Sequence, residues 1–243
     1  MRALSALRHV GSGLFSALAE LGNARMTPPR DPRDAAHRLA GALGALGRAH
    51  DLAVTVRGEI PRGPALIVAN HVSYLDPLAI LPVCPAVPIV RGDVLAWPVI
   101  GPIGAALGVV FVRGDRLRVL RRVHTLLSAG VPVLDFPEGS SGAAVQPFHR
   151  GTFGIAQRVG VPVVPVAVRY RDPARAWCDA TTFLPHYLRT AGQARIDVEL
   201  VFGAAMSPRA GELPEDMAAR ARNAIAKALA QRVTTSIAAN RSH

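Results

Sequence analysis

From Asp51 onward the chain alternates short apolar runs with amphipathic stretches, and this alternation restricts the fold more than any other feature. The runs are "LAVTVRG", "PALIVAN", "VPIVRG", "GVVFV", "VPVLDF", "VPVVPVAV" and "RIDVELVFG". Helical patterns lie between them, at Ser73 to about Leu81, Asp115 to Ala129 and Gly151 to Val159. Strands alternating with helices predict an α/β unit over residues 51–243, with a largely parallel or mixed sheet flanked by helices. In "DRLRVLRRVHTLLSAG", Leu117, Leu120, Val123 and Leu127 share one helix face and Arg118, Arg121 and Arg122 another. A last helix is expected from Glu215 to about Ala239, where Met217, Ala221, Ile225, Leu229, Val233 and Ile237 form a packing stripe.

Residues 1–50 read as an N-terminal amphipathic helical pair. Leu4, Leu7, Leu14, Phe15, Leu18 and Leu21 mark the first helix, and Leu39, Leu43 and Leu46 the second, after the break "TPPRDPRD". Two placements are open for them: packed on the core, or lying in a membrane interface.

Charge bears on that choice. The chain of 243 residues carries a formal net charge of +11 with 50% hydrophobic residues. Its sequence pI is near 11.3 and its mean hydropathy is +0.25. Such a protein is drawn to polyanions. Zinc-finger spacing, an aromatic-and-basic stripe and a Lys-rich tail are all missing, and Lys227 is the single lysine. An anionic membrane surface is therefore the expected partner, and nucleic acid is not. The N-terminal stretch lacks a signal-peptide core, so the expected location is the cytoplasmic face of the membrane, peripherally bound. Between Asp93 and Arg113 lie nineteen uncharged residues, a length that would admit a span. Pro98, Pro102, Gly101, Gly104 and Gly108 argue instead for a loop followed by a strand. Cys84 and Cys178 show neither disulfide nor zinc spacing, and both are expected to be small buried hydrophobes.

The chemistry-bearing stretches follow strand-like runs. In "LIVANHVSYLD", Ser73 and Asp76 fit a capping box, which accounts for those two residues but not for Asn70 and His71. The other reading is a catalytic pair. A tight turn can set Asp76 beside His71, fix the imidazole tautomer and leave the second ring nitrogen to take a proton. Further on, "FPEGSSG" makes a glycine- and hydroxyl-rich turn able to cradle an anion. In "VPVVPVAV", Pro162 and Pro165 point to an edge strand or to the wall of a substrate channel.

Taken in order, "NHVSYLD", "GVVFVRGDR", "FPEGSSG" and "VPVVPVAV" resemble the four motifs of the phospholipid/glycerol acyltransferase superfamily, of the 1-acylglycerol-3-phosphate acyltransferase type, over roughly Ala65 to Tyr170. The resemblance implies that His71 is the general base and Asp76 its orienter, with Asn70 and Ser73 beside them. It places Glu138, Gly139 and Ser140 at the acceptor site, and Pro162 and Pro165 in the fourth motif. Arg113 or Arg116 would bind the acceptor headgroup, Arg113 being preferred, although it comes one residue earlier than the family pattern. Ser141 stands where the family often has Arg, which removes a bidentate phosphate partner and widens the acceptor class to other lyso-lipids, lyso-ornithine lipid among them. His149 is a further candidate for substrate contact.

The activity so implied moves a fatty acyl group from acyl-CoA or acyl-carrier protein to the free hydroxyl of a lyso-lipid acceptor, with no metal and no bound cofactor. Two rival readings accompany it. One is an acyl thioesterase or esterase in which His71 activates water; the other is a non-catalytic lipid-binding protein on the same fold.

Overall fold

In the structure, a computed structural model that describes residues 15, 16, 18–97, 100–139, 145–172 and 195–231, all seven apolar runs are strands. They are β1 (Leu52–Arg57), β2 (Leu66–Ala69), β3 (Val87–Arg91), β4 (Val110–Val112), β5 (Val133–Asp135), β6 (Val163–Tyr170) and β7 (Ile196–Phe202). They form one sheet in the order β1-β7-β6-β2-β5-β3-β4. Every neighbouring pair is parallel except β6 and β7, so the sheet is mixed, as the alternation predicts.

The helices are α1 (Pro32–Ala49), α2 (Asp76–Ile80), α3 (Ile100–Ala106), α4 (Arg116–Ser128), α5 (Gly151–Val159) and α6 (Pro214–Ala230), with a short 3-10 helix at Gly92–Ala96. Residues 18–26 are helical as well. Side chains of β2 alternate between two cores. Ile67 and Ala69 join the core under α1 and α2, while Leu66 and Val68 join the core under α4, α5 and α6. Burial on both faces is why the central strands read as unbroken apolar runs rather than as alternating ones.

The N-terminal helical pair divides. Leu39, Leu43 and Leu46 of α1 are buried in the same core as β2 and β6, so this helix packs on the α/β unit. Ahead of it, Phe15 (75% exposed), Leu18 and Met26 face outward. Leu4, Leu7 and Leu14 lie outside the described residues, as do Ser140, Cys178 and the end of the last helix beyond residue 231.

Four local expectations need correction. The uncharged stretch after Asp93 is not only loop, for α3 runs through Gly101, Pro102 and Gly104. Pro102 sits in its first turn, where a missing N–H leaves no helical bond unmade. No helix among the described residues is long and apolar enough to cross a membrane. Leu117 does not join the buried stripe of α4: it is 64% exposed in the first turn, and Leu126 takes its place beside Val123 and Leu127. The helix expected from Ser73 begins at Asp76 instead.

The fourth correction concerns β6, an interior strand between β7 and β2 rather than an edge. Pro165 is tolerated there because antiparallel pairing on its β7 side lapses between the bridges Val166↔Phe202 and Val163↔Met206. Its carbonyl accepts from the Gly203 N–H at 2.8 Å, and a Cβ on Gly203 would lie 2.9 Å from the proline ring. No ladder donor is required of the proline nitrogen at that point.

Candidate active site

β2 lies between β5 and β6, parallel to both, with Val68 opposite Asp135 on one side and Pro165 on the other. The turns leaving β2 and β5 therefore emerge side by side at the carboxyl end of the sheet, where open α/β sheets place their sites. Pairing of the two strands brings "NHVSYLD" and "FPEG" together across about seventy residues of sequence.

His71 and Asp76 do meet. The imidazole Nδ1 is 2.8 Å from Asp76 Oδ2. A carboxylate only accepts, so Nδ1 carries the shared proton and Nε2 is left to accept. Oδ2 also accepts from the backbone N–H groups of Val72 at 2.7 Å and Ser73 at 2.9 Å. These bonds close a turn and not a capping box, since α2 begins at Asp76 with Leu75 as its N-cap. One carboxylate thus does two jobs. It closes the turn ahead of α2 and it orients the histidine.

Around the pair, Phe136 stacks on the His71 ring with centroids 4.4 Å apart and an interplanar angle of 28°. Glu138 is buried and spans two loops: Oε2 accepts from His71 N–H and Oε1 from Gln146 N–H, both at 3.2 Å. Burial raises its carboxyl above the ordinary glutamate value, against the pull of those two donors. Gly139 adopts φ +75°, and a Cβ there would come within 3.3 Å of His149 Nε2. Both the left-handed backbone and the histidine demand a glycine.

His71 opens onto a cavity of about 730 Å³. Its apolar lining comes from Leu39, Leu43 and Leu46 of α1, from Ile100 and Ile103 of α3, and from Trp97. The lining is also polar, with Arg91, Arg116, His149, Arg150 and Asp93, which accepts from Arg91 at 3.2 Å. Asp135 and Thr152 line it too, and the threonine hydroxyl donates to Asp135 Oδ2 at 2.6 Å. Burial pushes the Asp135 carboxyl up to about 6.

Of the residues singled out from the sequence, His71, Gly139, Arg116 and His149 line this cavity. Asp76 stands directly behind His71. Arg113 is exposed and not part of the wall, so the geometry favours Arg116, the second choice. Ser73 is wholly buried and its hydroxyl accepts from Leu75 N–H at 3.3 Å, inside the turn. Asn70 is turned into the sheet: its Nδ2 donates to Val168 O at 3.0 Å, and its Oδ1 accepts from Val168 N–H at 2.8 Å. The side-chain amide adds one more rung between β2 and β6 after their backbones part. Glu138, Pro162 and Pro165 also stand behind the wall rather than in it.

The sequence reading passed over Phe136, Asp135, Thr152 and Tyr170. An aspartate within the apolar run "VPVLDF" was the one available signal.

Comparison with known proteins bears on the family and the fold. Residues 52–169 match the family model Acyltransferase. The chain is 37% identical over 134 residues to the lyso-ornithine lipid O-acyltransferase of Pseudomonas aeruginosa, covering 53% of this chain and 52% of that protein. It is 37% identical over 140 residues to the 1-acyl-sn-glycerol-3-phosphate acyltransferase of Neisseria gonorrhoeae, covering 54% and 53%. The chain thus spans about half the length of these curated relatives. Among solved structures, the 1-acyl-sn-glycerophosphate acyltransferase PlsC from Thermotoga maritima matches with a TM-score of 0.64 and 24% identity, over 96% of this chain and 99% of that one. This last likeness is one of fold.

Proposed function

Because the chain belongs to the phospholipid/glycerol acyltransferase superfamily, we propose that it is an O-acyltransferase of membrane lipid synthesis, moving a fatty acyl group from a thioester donor to the free hydroxyl of a lyso-lipid. The observation that carries this reading is the His71–Asp76 bond beside a cavity lined by apolar side chains together with Arg91, Arg116 and Arg150. A fatty chain suits the walls of α1 and α3, and an anionic headgroup suits Arg116 and Arg91.

In this mechanism His71 Nε2 takes the proton of the acceptor hydroxyl as its oxygen attacks the thioester carbonyl. Asp76 holds the ring and stabilises the imidazolium that forms. The tetrahedral intermediate expels the thiolate, which recovers the proton from His71. Arg116 is placed to steady negative charge on the headgroup or on the oxyanion. The nucleophile belongs to the substrate, so no serine or cysteine is called on, and the residues named supply acid–base chemistry without a metal or a bound cofactor. Acyl-CoA and acyl-carrier protein both fit as donors, and lysophosphatidate and lyso-ornithine lipid both fit as acceptors. The basic charge and the exposed Phe15 and Leu18 support peripheral binding to an anionic, cytoplasm-facing membrane.

The test is thiol release from each donor in the presence of mixed lyso-lipids, with products resolved by mass. A new diacyl lipid is expected with the wild type. His71→Ala should lower its rate by on the order of 10² to 10⁴-fold. Free fatty acid in place of the lipid would mean that water is the acceptor, and the thioesterase reading would replace this one.

A further inference from the structure

Tyr170 lies at the far end of β6, ninety-four positions from Asp76, yet its phenol is 2.6 Å from Asp76 Oδ1. The contact depends on register. Asn70 clamps the backbone of Val168, and two residues on, Tyr170 projects from the same strand face into the core that holds Val166 and Val168. A buried tyrosine usually turns its hydroxyl toward water or a polar partner; here the partner is the carboxylate that orients the base. Oδ2 is occupied by three N–H donors, and Oδ1 receives the phenol. A chain of hydrogen bonds therefore runs from Tyr170 through Asp76 to His71.

Resting on the acyl-transfer reading above, we propose that Tyr170 is a positioning residue of the reaction, holding Asp76 so that its other oxygen meets His71 Nδ1. Burial and the neighbouring carboxylate push the ionisation of this phenol well above the ordinary tyrosine range, so it remains a donor at any working pH. The other titratable groups around the network are Glu138, which accepts from His71 N–H, and Tyr74, with His50 edge-on to it. Among the described residues, neither Glu138 nor His50 supplies Oδ1 with a donor. Without the phenol, charge on the carboxylate concentrates toward His71. The imidazolium is then held more firmly, and more alkaline conditions are needed to free the base.

Tyr170→Phe keeps the ring and removes the hydroxyl. The loss of one charge-assisted hydrogen bond is expected to lower kcat about tenfold, with KM within about twofold of wild type. The acid limb of the kcat–pH profile should move to higher pH. In NMR spectra the His71 Nδ1 proton resonance should shift, since it reports the bond to Asp76 directly. Wild-type kcat, an unmoved acid limb and an unchanged resonance would overturn the proposal. If the wild type itself transfers no acyl group, the acyl-transfer reading fails, and the NMR comparison still decides what Tyr170 does to the His71–Asp76 bond. Should Tyr170→Phe not fold, 3-fluorotyrosine at position 170 keeps the ring and strengthens the phenol as a donor; the His71 Nδ1 resonance should still shift, and an unmoved resonance would overturn the proposal.

Discussion

Two buried carboxylates stand at the ends of neighbouring parallel strands, and they are served very differently. Asp76, after β2, accepts from two backbone N–H groups, an imidazole and a phenol. Asp135, closing β5, accepts from one threonine hydroxyl and is pushed up to about 6 by burial. What separates them is the number of donors each meets, since both are taken out of water. A carboxylate with four donors around it is fixed in orientation and can direct a histidine. One with a single side-chain donor costs the fold stability whenever it is ionised.

That contrast can be broken experimentally. Asp76→Asn leaves a side chain of similar size but cannot serve all four donors, so kcat should fall on the order of 10² to 10⁴-fold. A loss under about threefold, in the assay that defines the activity, would show that the donors around Asp76 shape the turn and not the chemistry. Arg116→Ala should raise the KM for an anionic lyso-lipid about tenfold, while Arg113→Ala should change it less than about twofold. The reverse pattern would return the headgroup site to Arg113.

For Asp135 the expectation concerns stability. Its folded pKa is raised from the ordinary aspartate value to about 6. Its contribution is therefore most favourable at low pH and is lost as pH rises through about 6. Asp135→Asn should thus be close to neutral at pH 4, and should stabilise the protein at pH 8 by about 1–2 kcal/mol in denaturant unfolding. Activity should change by less than about threefold, because Thr152 and the cavity wall remain. An Asn variant that is less stable at pH 8 than at pH 4, relative to wild type, would mean that the ionised carboxylate is satisfied after all.

Much of this architecture was legible in the residues. Seven runs rich in Val, Ile and Leu became seven strands; β2, β5 and β6 read as nearly unbroken apolar runs because both of their faces are buried, whereas β7 alternates buried and half-buried positions. The closeness of His71 and Asp76 was legible because both sit within one turn of chain, where local geometry limits their separation. The choice between Arg113 and Arg116 was not legible, because spacing from a motif says nothing about which of two nearby arginines turns toward a cavity. The helix around Pro102 was missed because proline punishes a helix interior but not its first turn.

The sequence by itself determined the seven strands, most of the helices, the basic charge and the close pair at the head of α2. These follow from side-chain periodicity and from contacts a few residues apart. Only the tertiary structure decided the strand order. That order put "FPEG" beside "NHVSYLD", carried proline-bearing β6 into the middle of the sheet, turned Asn70 inward as a rung of the ladder and delivered the Tyr170 hydroxyl to Asp76. Such contacts depend on which strands become neighbours, and in a parallel sheet that is set by how whole elements pack, not by any residue's own neighbours in the chain.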